Sequence, residues 1–353
     1  MTKTNPGNFF EDFKIGQEIR HATPRTVTAG DVALYCALYG GRFAVASSAE
    51  FARKIGFADA PVDDLLAFHL VFGKTVPDIS LNAVANLGYA EGRFGVPVYA
   101  GDTLRAVSEV IGLKENSNRQ TGVVYVRSTG FNQRDEMVVE YLRWVMVRKR
   151  DPSAPAPEEV VPPMADKVPA EALILPAGLD LSGYDRVLAG SPHLWDDYKA
   201  GEAIDHMDGM TIEDAEHMCA TRLYQNTAKV HFNQHTEGQG RFGRRLIYGG
   251  HIISLARSLS FNGLANAFKV VAINGGRHVA PTFAGDTIYA WTAVEEKMEI
   301  PGRRDLGALR LRTIAAKDHA CADLPWKDAD RKDYHPAVVL DFNYTVIVPR
   351  QSL

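Results

Sequence analysis

Two hydrophobic periods alternate along the chain. Behind Gly249-Gly250, the apolar residues Ile252, Ile253, Leu255, Ala256 and Leu259 recur at helical spacing. The run LLAFHLVFGKTV, starting near Asp64, predicts a second long apolar helix. Elsewhere the period drops to two and predicts strands, as in Val123-Tyr125-Arg127 and Leu309-Leu311-Thr313. Each long helix is followed by three or four such strands with no helix between them. A long helix followed by a run of antiparallel strands is an α+β pattern. A parallel sheet would need crossover helices that this pattern lacks.

The elements occur twice. FEDFKIGQEI (Phe10 to Ile19) matches LWDDYKAGEAI (Leu194 to Ile204), and VTAGDVALYCA (Val27 to Ala37) matches MTIEDAEHMCA (Met210 to Ala220), with Cys36 on Cys219. GVPVYAGDTL (Gly95 to Leu104) matches HVAPTFAGDTI (His278 to Ile288), GVVYVRS (Gly122 to Ser128) matches GALRLRT (Gly307 to Thr313), and YLRWVMV (Tyr141 to Val147) matches FNYTVIV (Phe342 to Val348). The order is kept and the offset stays near 185, so these are two copies of one unit. Each copy opens with a polar segment and a short helix with Asp at its start, Asp31 or Asp214. The stretch DPSAPAPEEVVPPMADKVPAEALILPAG is too rich in proline for helix or central strand and predicts an extended surface linker. The expected division is a first unit over 1–150, a linker over 151–190 and a second unit over 191–353.

Composition narrows the function classes. The chain has 353 residues, 46% hydrophobic and 23% charged, as ordinary globular proteins do. Its formal net charge of −4 gives no electrostatic reason to expect nucleic acid or an anionic membrane. Three cysteines, Cys36, Cys219 and Cys321, are far apart and form no C-x-x-C pair, which argues against a disulfide framework or a zinc site. The first residues contain no apolar signal-peptide core, and no apolar run approaches the ~18 residues of a membrane span. A cytoplasmic protein is expected.

The chemistry concentrates between Tyr224 and Leu259. Asn226 and His231 sit five residues apart in a polar turn, followed by a loop rich in Gly and Arg and then by Tyr248, Gly249 and Gly250 at the helix start. An imidazole suits proton transfer near neutral pH, and free N–H groups at a helix start suit a developing negative charge. A histidine is more often a satisfied polar residue, and an Asn in a turn is commonly there for its geometry. The glycines fit a tight turn as well as a close backbone approach. Arg222, Lys229, Arg241, Arg244 and Arg245, with Arg277 farther on, are candidates for phosphate or carboxylate binding, although a charge run is usually a solvated face. Asp102 and Asp286 recur in both Gly-Asp-Thr turns, which points to turn capping rather than catalysis. Cys219 reads as a packed core thiol. Walker, GxGxxG-after-strand and H-E-x-x-H patterns are missing, so nucleotide hydrolysis, hydride transfer and zinc proteolysis find no support.

With these residues laid out, the chain resembles the MaoC-like double-hotdog hydratases and dehydratases of acyl-coenzyme A thioesters. In that family a bent antiparallel sheet wraps one long helix, and two such units in one chain form a pseudo-dimer. Asn226 falls on the family Asp, His231 on its His, Gly250 on the helix Gly, and Ala284-Gly285-Asp286-Thr287 on the later turn. Glu50-Phe51-Ala52 and Gly56-Phe57-Ala58 keep the connecting part in the first copy, where Gly41 and Ala46 replace the dyad. The resemblance therefore implies a catalytically silent first half that supplies part of the cleft. The amide at Asn226 and Ala228-Lys229 in place of Asn-Pro depart from the pattern. Either another acid serves, with Asp63 or Asp64 as candidates, or Asn226 positions water and His231 moves every proton. Length, linker and degenerate motif are similar to those of the mesaconyl-coenzyme A (2-methylfumaryl-coenzyme A) hydratases. The resemblance thus implies reversible hydration of a dicarboxylic enoyl thioester to β-methylmalyl-coenzyme A, with Gly250 as oxyanion donor and Tyr248, Gly249 and one or more of the basic residues against the substrate. It implies no metal or other cofactor beyond the coenzyme A of the substrate, and a homodimer. Thioester hydrolysis on the same fold, or acyl-coenzyme A binding without turnover, are the alternatives.

Overall fold

A computed structural model describes residues 3–327 and 333–351. Ten strands form one antiparallel sheet: β1 (Glu18–Thr26), β2 (Ala83–Phe94), β3 (Thr103–Glu115), β4 (Thr121–Phe131), β5 (Met137–Arg148), β6 (Ala203–Thr211), β7 (Lys269–His278), β8 (Thr287–Glu299), β9 (Leu306–Lys317) and β10 (Val338–Pro349). Their spatial order is β1-β3-β4-β5-β2-β7-β10-β9-β8-β6. The two halves of this order mirror each other about the β2–β7 seam, where Tyr89 faces Gly276 and Arg93 faces Ala272. The repeat is thus a pair of five-stranded units fused edge to edge, which removes two exposed sheet edges.

Each unit wraps one long helix. The first runs Asp64–Thr75 and begins at Asp63, whose carboxylate accepts the Leu65 N–H at 2.9 Å. The second runs Gly249–Leu259, and its preceding residue Tyr248 makes no side-chain cap. Both are buried nearly all round because sheet and partner helix enclose them. Leu65, Phe68 and Phe72 of the first half share one core with Tyr224, Ile252, Ile253 and Phe342 of the second. Truncating a fully buried member such as Leu66 to Ala should cost about 2–5 kcal/mol.

Equivalent residues of the two units meet directly. The Tyr39 and Tyr224 hydroxyls lie 2.7 Å apart, and His69 Nε2 lies 3.0 Å from Ser254 Oγ; both pairs are 185 residues apart. The backbone fixes the same offset elsewhere. Val27 exchanges hydrogen bonds with Asp102 and Gly101, as Ile212 does with Asp286 and Gly285. This corrects the sequence alignment of the short helices by two residues: Val27 corresponds to Ile212, not Met210, so Cys36 falls on Thr221 and not on Cys219. Cys219 is exposed rather than a packed core thiol, because it lies on the outer side of the Asp214–Leu223 helix. Asp102 and Asp286 do cap their turns, accepting the N–H groups of Tyr99 and Phe283 at 2.8 and 3.0 Å.

The linker crosses the sheet face opposite the long helices. Val160 pairs with Leu113, the Val168 N–H donates to Asn274 Oδ1 at 2.9 Å, and Asp166 and Lys167 pair with Arg310 and Glu296. It visits strands of both units and covers their seam.

Candidate active site

His231 occupies a single helical turn, Lys229–Phe232, directly before the loop that leads to the second long helix. Its Nδ1–H donates to the Leu246 carbonyl at 3.0 Å, which leaves Nε2 as the free, basic nitrogen. The Tyr248 ring packs 5.4 Å from the imidazole. Burial pushes the His231 pKa down to about 4, against the opposing effect of the Leu246 carbonyl. The ring is therefore neutral at pH 7 and able to accept a proton.

Gly249 and Gly250 open the helix beside it. Their N–H groups lie in the first turn, where no intrahelical carbonyl can receive them. A Cβ on Gly250 would collide with the rings of Tyr248 and His69, and one on Gly249 with His278. These glycines are needed for close approach, and Gly250 is buried while still presenting a helix-start N–H. Such a group stabilises an anionic oxygen.

Four histidines that the sequence reading passed over complete the surroundings. The Tyr248 N–H donates to His217 Nε2 at 2.9 Å, so the His217 proton resides on Nδ1. His251 Nδ1 lies 2.7 Å from the Tyr39 hydroxyl. The Tyr35 hydroxyl donates to Ser254, whose Oγ also lies 3.0 Å from His69 Nε2. His278 Nε2 lies 3.3 Å from the Tyr89 hydroxyl. Burial is the main cause that lowers all four, to about 3 for His69 and His251, about 2 for His217 and about 4 for His278. Among the described residues no group of three or more His, Cys, Asp or Glu converges as a metal site. The signal available in the sequence was a polar residue on an otherwise apolar face, as at His69 in LLAFHLVFG and His251 in GGHIISL.

His231, Tyr248, Gly249 and Gly250 thus come together as the spacing predicts. Asn226, expected to position water or the carbonyl, has its side-chain oxygen engaged within its own turn. Its side-chain oxygen accepts the Ala228 N–H at 3.1 Å, and no hydrogen bond links it to His231. It is a buried cap that props the turn carrying the imidazole. Asp63 and Asp64 are equally committed: Asp63 caps its own helix, and Asp64 pairs with Lys269.

The basic candidates divide. Arg222 and Lys229 are exposed. Arg244 lies over the Phe283 ring at 3.9 Å and Arg241 over Phe242 at 5.0 Å. Arg245 pairs with Asp214. Arg277 faces Asp341 in the β7–β10 pairing, on the sheet face opposite the helices, so the sheet separates it from His231.

The family model described as mesaconyl-CoA hydratase matches residues 1–323. The beta-methylmalyl-CoA dehydratase of Chloroflexus aurantiacus is 66% identical over 350 residues, covering 99% of each chain. The mesaconyl-CoA hydratase of Cereibacter sphaeroides is 60% identical over 350 residues, 99% of this chain and 100% of that one. A crystal structure of a MaoC domain protein dehydratase from Chloroflexus aurantiacus superposes with a TM-score of 0.97 at 66% identity, over 99% of this chain and 100% of that one. A Mycobacterium tuberculosis protein with a double hotdog fold reaches a TM-score of 0.73 at 25% identity, over 97% and 98% of the two chains.

Proposed function

Because this chain belongs to the mesaconyl-CoA hydratase family, we propose that it is a hydro-lyase that reversibly adds water across the double bond of mesaconyl-coenzyme A to give β-methylmalyl-coenzyme A. The observation that carries the mechanism is the neutral, Leu246-oriented His231 beside the free helix-start N–H of Gly250. His231 Nε2 takes a proton from water as its oxygen bonds to the β-carbon. The π electrons move onto the thioester oxygen, where the Gly250 N–H holds the enolate. The same proton then passes from the imidazolium to the α-carbon, the enolate collapses, and the imidazole is neutral again. The thioester acidifies the α-position, so the reaction needs only the coenzyme A carried by the substrate.

Asn226 acts through the turn it caps. Tyr248 lines the acyl site, and exposed Arg222, Lys229 and Arg244 are suited to coenzyme A phosphates at the mouth. The reading extends to a cytoplasmic homodimer, which light scattering checks as twice the 38.8 kDa chain mass. No helix among the described residues is long and apolar enough to cross a membrane.

The test is an ultraviolet assay with mesaconyl-coenzyme A beside crotonyl-coenzyme A. Loss of the enoyl absorbance with the thiol still blocked supports hydration. Release of free thiol would replace it with thioester hydrolysis, and tight binding without turnover would leave a binding protein.

A further inference from the structure

Arg143 is a core cation with no counter-ion among the described residues. Arg143, in the middle of β5, has no exposed surface. Its guanidinium touches only two hydroxyls, Thr75 Oγ1 at 2.9 Å and Ser80 Oγ at 3.5 Å, both through one terminal nitrogen. Its Nε and its other terminal nitrogen have no partner, and no carboxylate among the described residues pairs with it. The neighbouring Tyr141 hydroxyl is also buried without a partner. A guanidinium cannot shed its proton at any pH the protein meets, so it cannot escape burial by neutralising itself. The fork that receives both oxygens of a carboxylate is the edge of Nε with the terminal nitrogen that Thr75 holds; the unpartnered terminal nitrogen lies on the other side and adds a separate N–H.

The place of this fork matters. Arg143 stacks over Phe72 at 4.3 Å. Around the same ring stand Tyr248 at 5.7 Å, Tyr89 at 6.2 Å and Tyr141 at 6.4 Å. Tyr248 is the ring beside His231, and the Tyr89 hydroxyl is the one beside His278. Two rings in series, Phe72 and then Tyr248, therefore link the unpaired guanidinium to the His231 imidazole. The named basic candidates of the His231 loop offer no comparable group, because they are exposed, paired or on the wrong face.

We propose that Arg143, with the Tyr141 hydroxyl, binds the free carboxylate of the dicarboxylic acyl group and so selects mesaconyl-coenzyme A over uncharged enoyl thioesters. The inference rests on the hydratase reading for its substrate. It gives the first half, which has lost its own catalytic pair, a direct part in the reaction of the second. A neutral acyl tail would leave the buried charge unpaired, which disfavours such substrates.

Wild type, Arg143→Gln and Arg143→Lys are compared for calorimetric binding of succinyl-coenzyme A and butyryl-coenzyme A, with circular dichroism as the check on folding. Arg143→Gln should weaken succinyl-coenzyme A about 100-fold and change butyryl-coenzyme A by less than about threefold. Arg143→Lys keeps the charge without the fork and should weaken succinyl-coenzyme A about 10-fold, again selectively. If Gln does not fold, Lys decides. Equal losses for both thioesters, no loss for either, or unfolding of both variants would make Arg143 a structural cation and overturn the proposal. Wild-type hydration of mesaconyl-coenzyme A with unaltered selectivity in the variants sinks the Arg143 role alone. Selective binding without any wild-type hydration sinks the hydratase reading instead.

Discussion

The two halves carry the same place twice, and only one copy keeps a histidine and a glycine-led helix start there. With the offset of 185 set by the backbone, Asn226, His231, Tyr248 and His251 correspond to Gly41, Ala46, Asp63 and Leu66. In the first half these residues line a cavity of about 20 Å³, room for one water. The decisive difference is at the helix start. Leu65 stands where Gly250 stands, and its N–H is already taken by the Asp63 carboxylate. The first half has put its own anion where the second leaves N–H groups free.

The comparison can be broken most sharply at the imidazole. His231→Ala should lower kcat for hydration by about 10²–10⁴-fold, with the melting transition retained, measured by the enoyl absorbance. Gly250→Ala should cost about 10²-fold or more in kcat, because the added methyl forces Tyr248 and His69 apart and shifts the N–H. Equal activity in that variant would remove Gly250 from the mechanism.

Acid provides the next test. Six histidines have their pKa lowered by burial: His69 to about 3 in the first half, and His206, His217, His231, His251 and His278 to about 4, 2, 4, 3 and 4 in the second. Unfolded, each takes up its proton near pH 6.5. Between about pH 6.5 and the folded values, the unfolded chain binds more protons than the native one. Stability is therefore complete above this window and is lost as pH falls through it. Denaturant titrations at pH 7, 6 and 5 should show declining stability, with hydrogen exchange around His217 and His251 rising before that of the first unit. Over the range in which the protein stays folded, kcat/KM should not show the acid limb near 6.5 of an ordinary imidazole.

Smaller effects mark the first half. Asp63→Ala removes a helix cap and should cost about 1 kcal/mol in denaturant titration, with hydration unchanged. Ala46→His should add no second site: titration with a tight acyl-coenzyme A should still find one site per chain, because Asp63 continues to occupy the helix start.

How much of this was legible in the sequence follows from the range of the interactions. The repeat, the two long helices and the pairing of His231 with Gly249-Gly250 are local patterns, and the fold keeps them. The short helices were misaligned because VTAGD and MTIED look alike, whereas long-range backbone bonds from Val27 and Ile212 set the true register. Asn226 was read as positioning water or a carbonyl, and spacing could not show that its side-chain oxygen also caps Ala228. Arg143 lay hidden for a different reason. In YLRWVMV it reads as the exposed member of an alternating strand, and only the assembled core reveals it to be enclosed.

The contacts between equivalent residues have one more consequence. In a dimer of identical chains, a residue on the two-fold axis can meet only its own copy, so every axial contact is homotypic and any substitution occurs on both sides at once. Tyr39 against Tyr224 still obeys that constraint. His69 against Ser254 does not: imidazole and hydroxyl form an unlike hydrogen-bonded pair, a match that no symmetric pair of chains could place on its axis. Covalent fusion of the halves breaks this symmetry, and so allows one face of the axis to specialise while the other supports it.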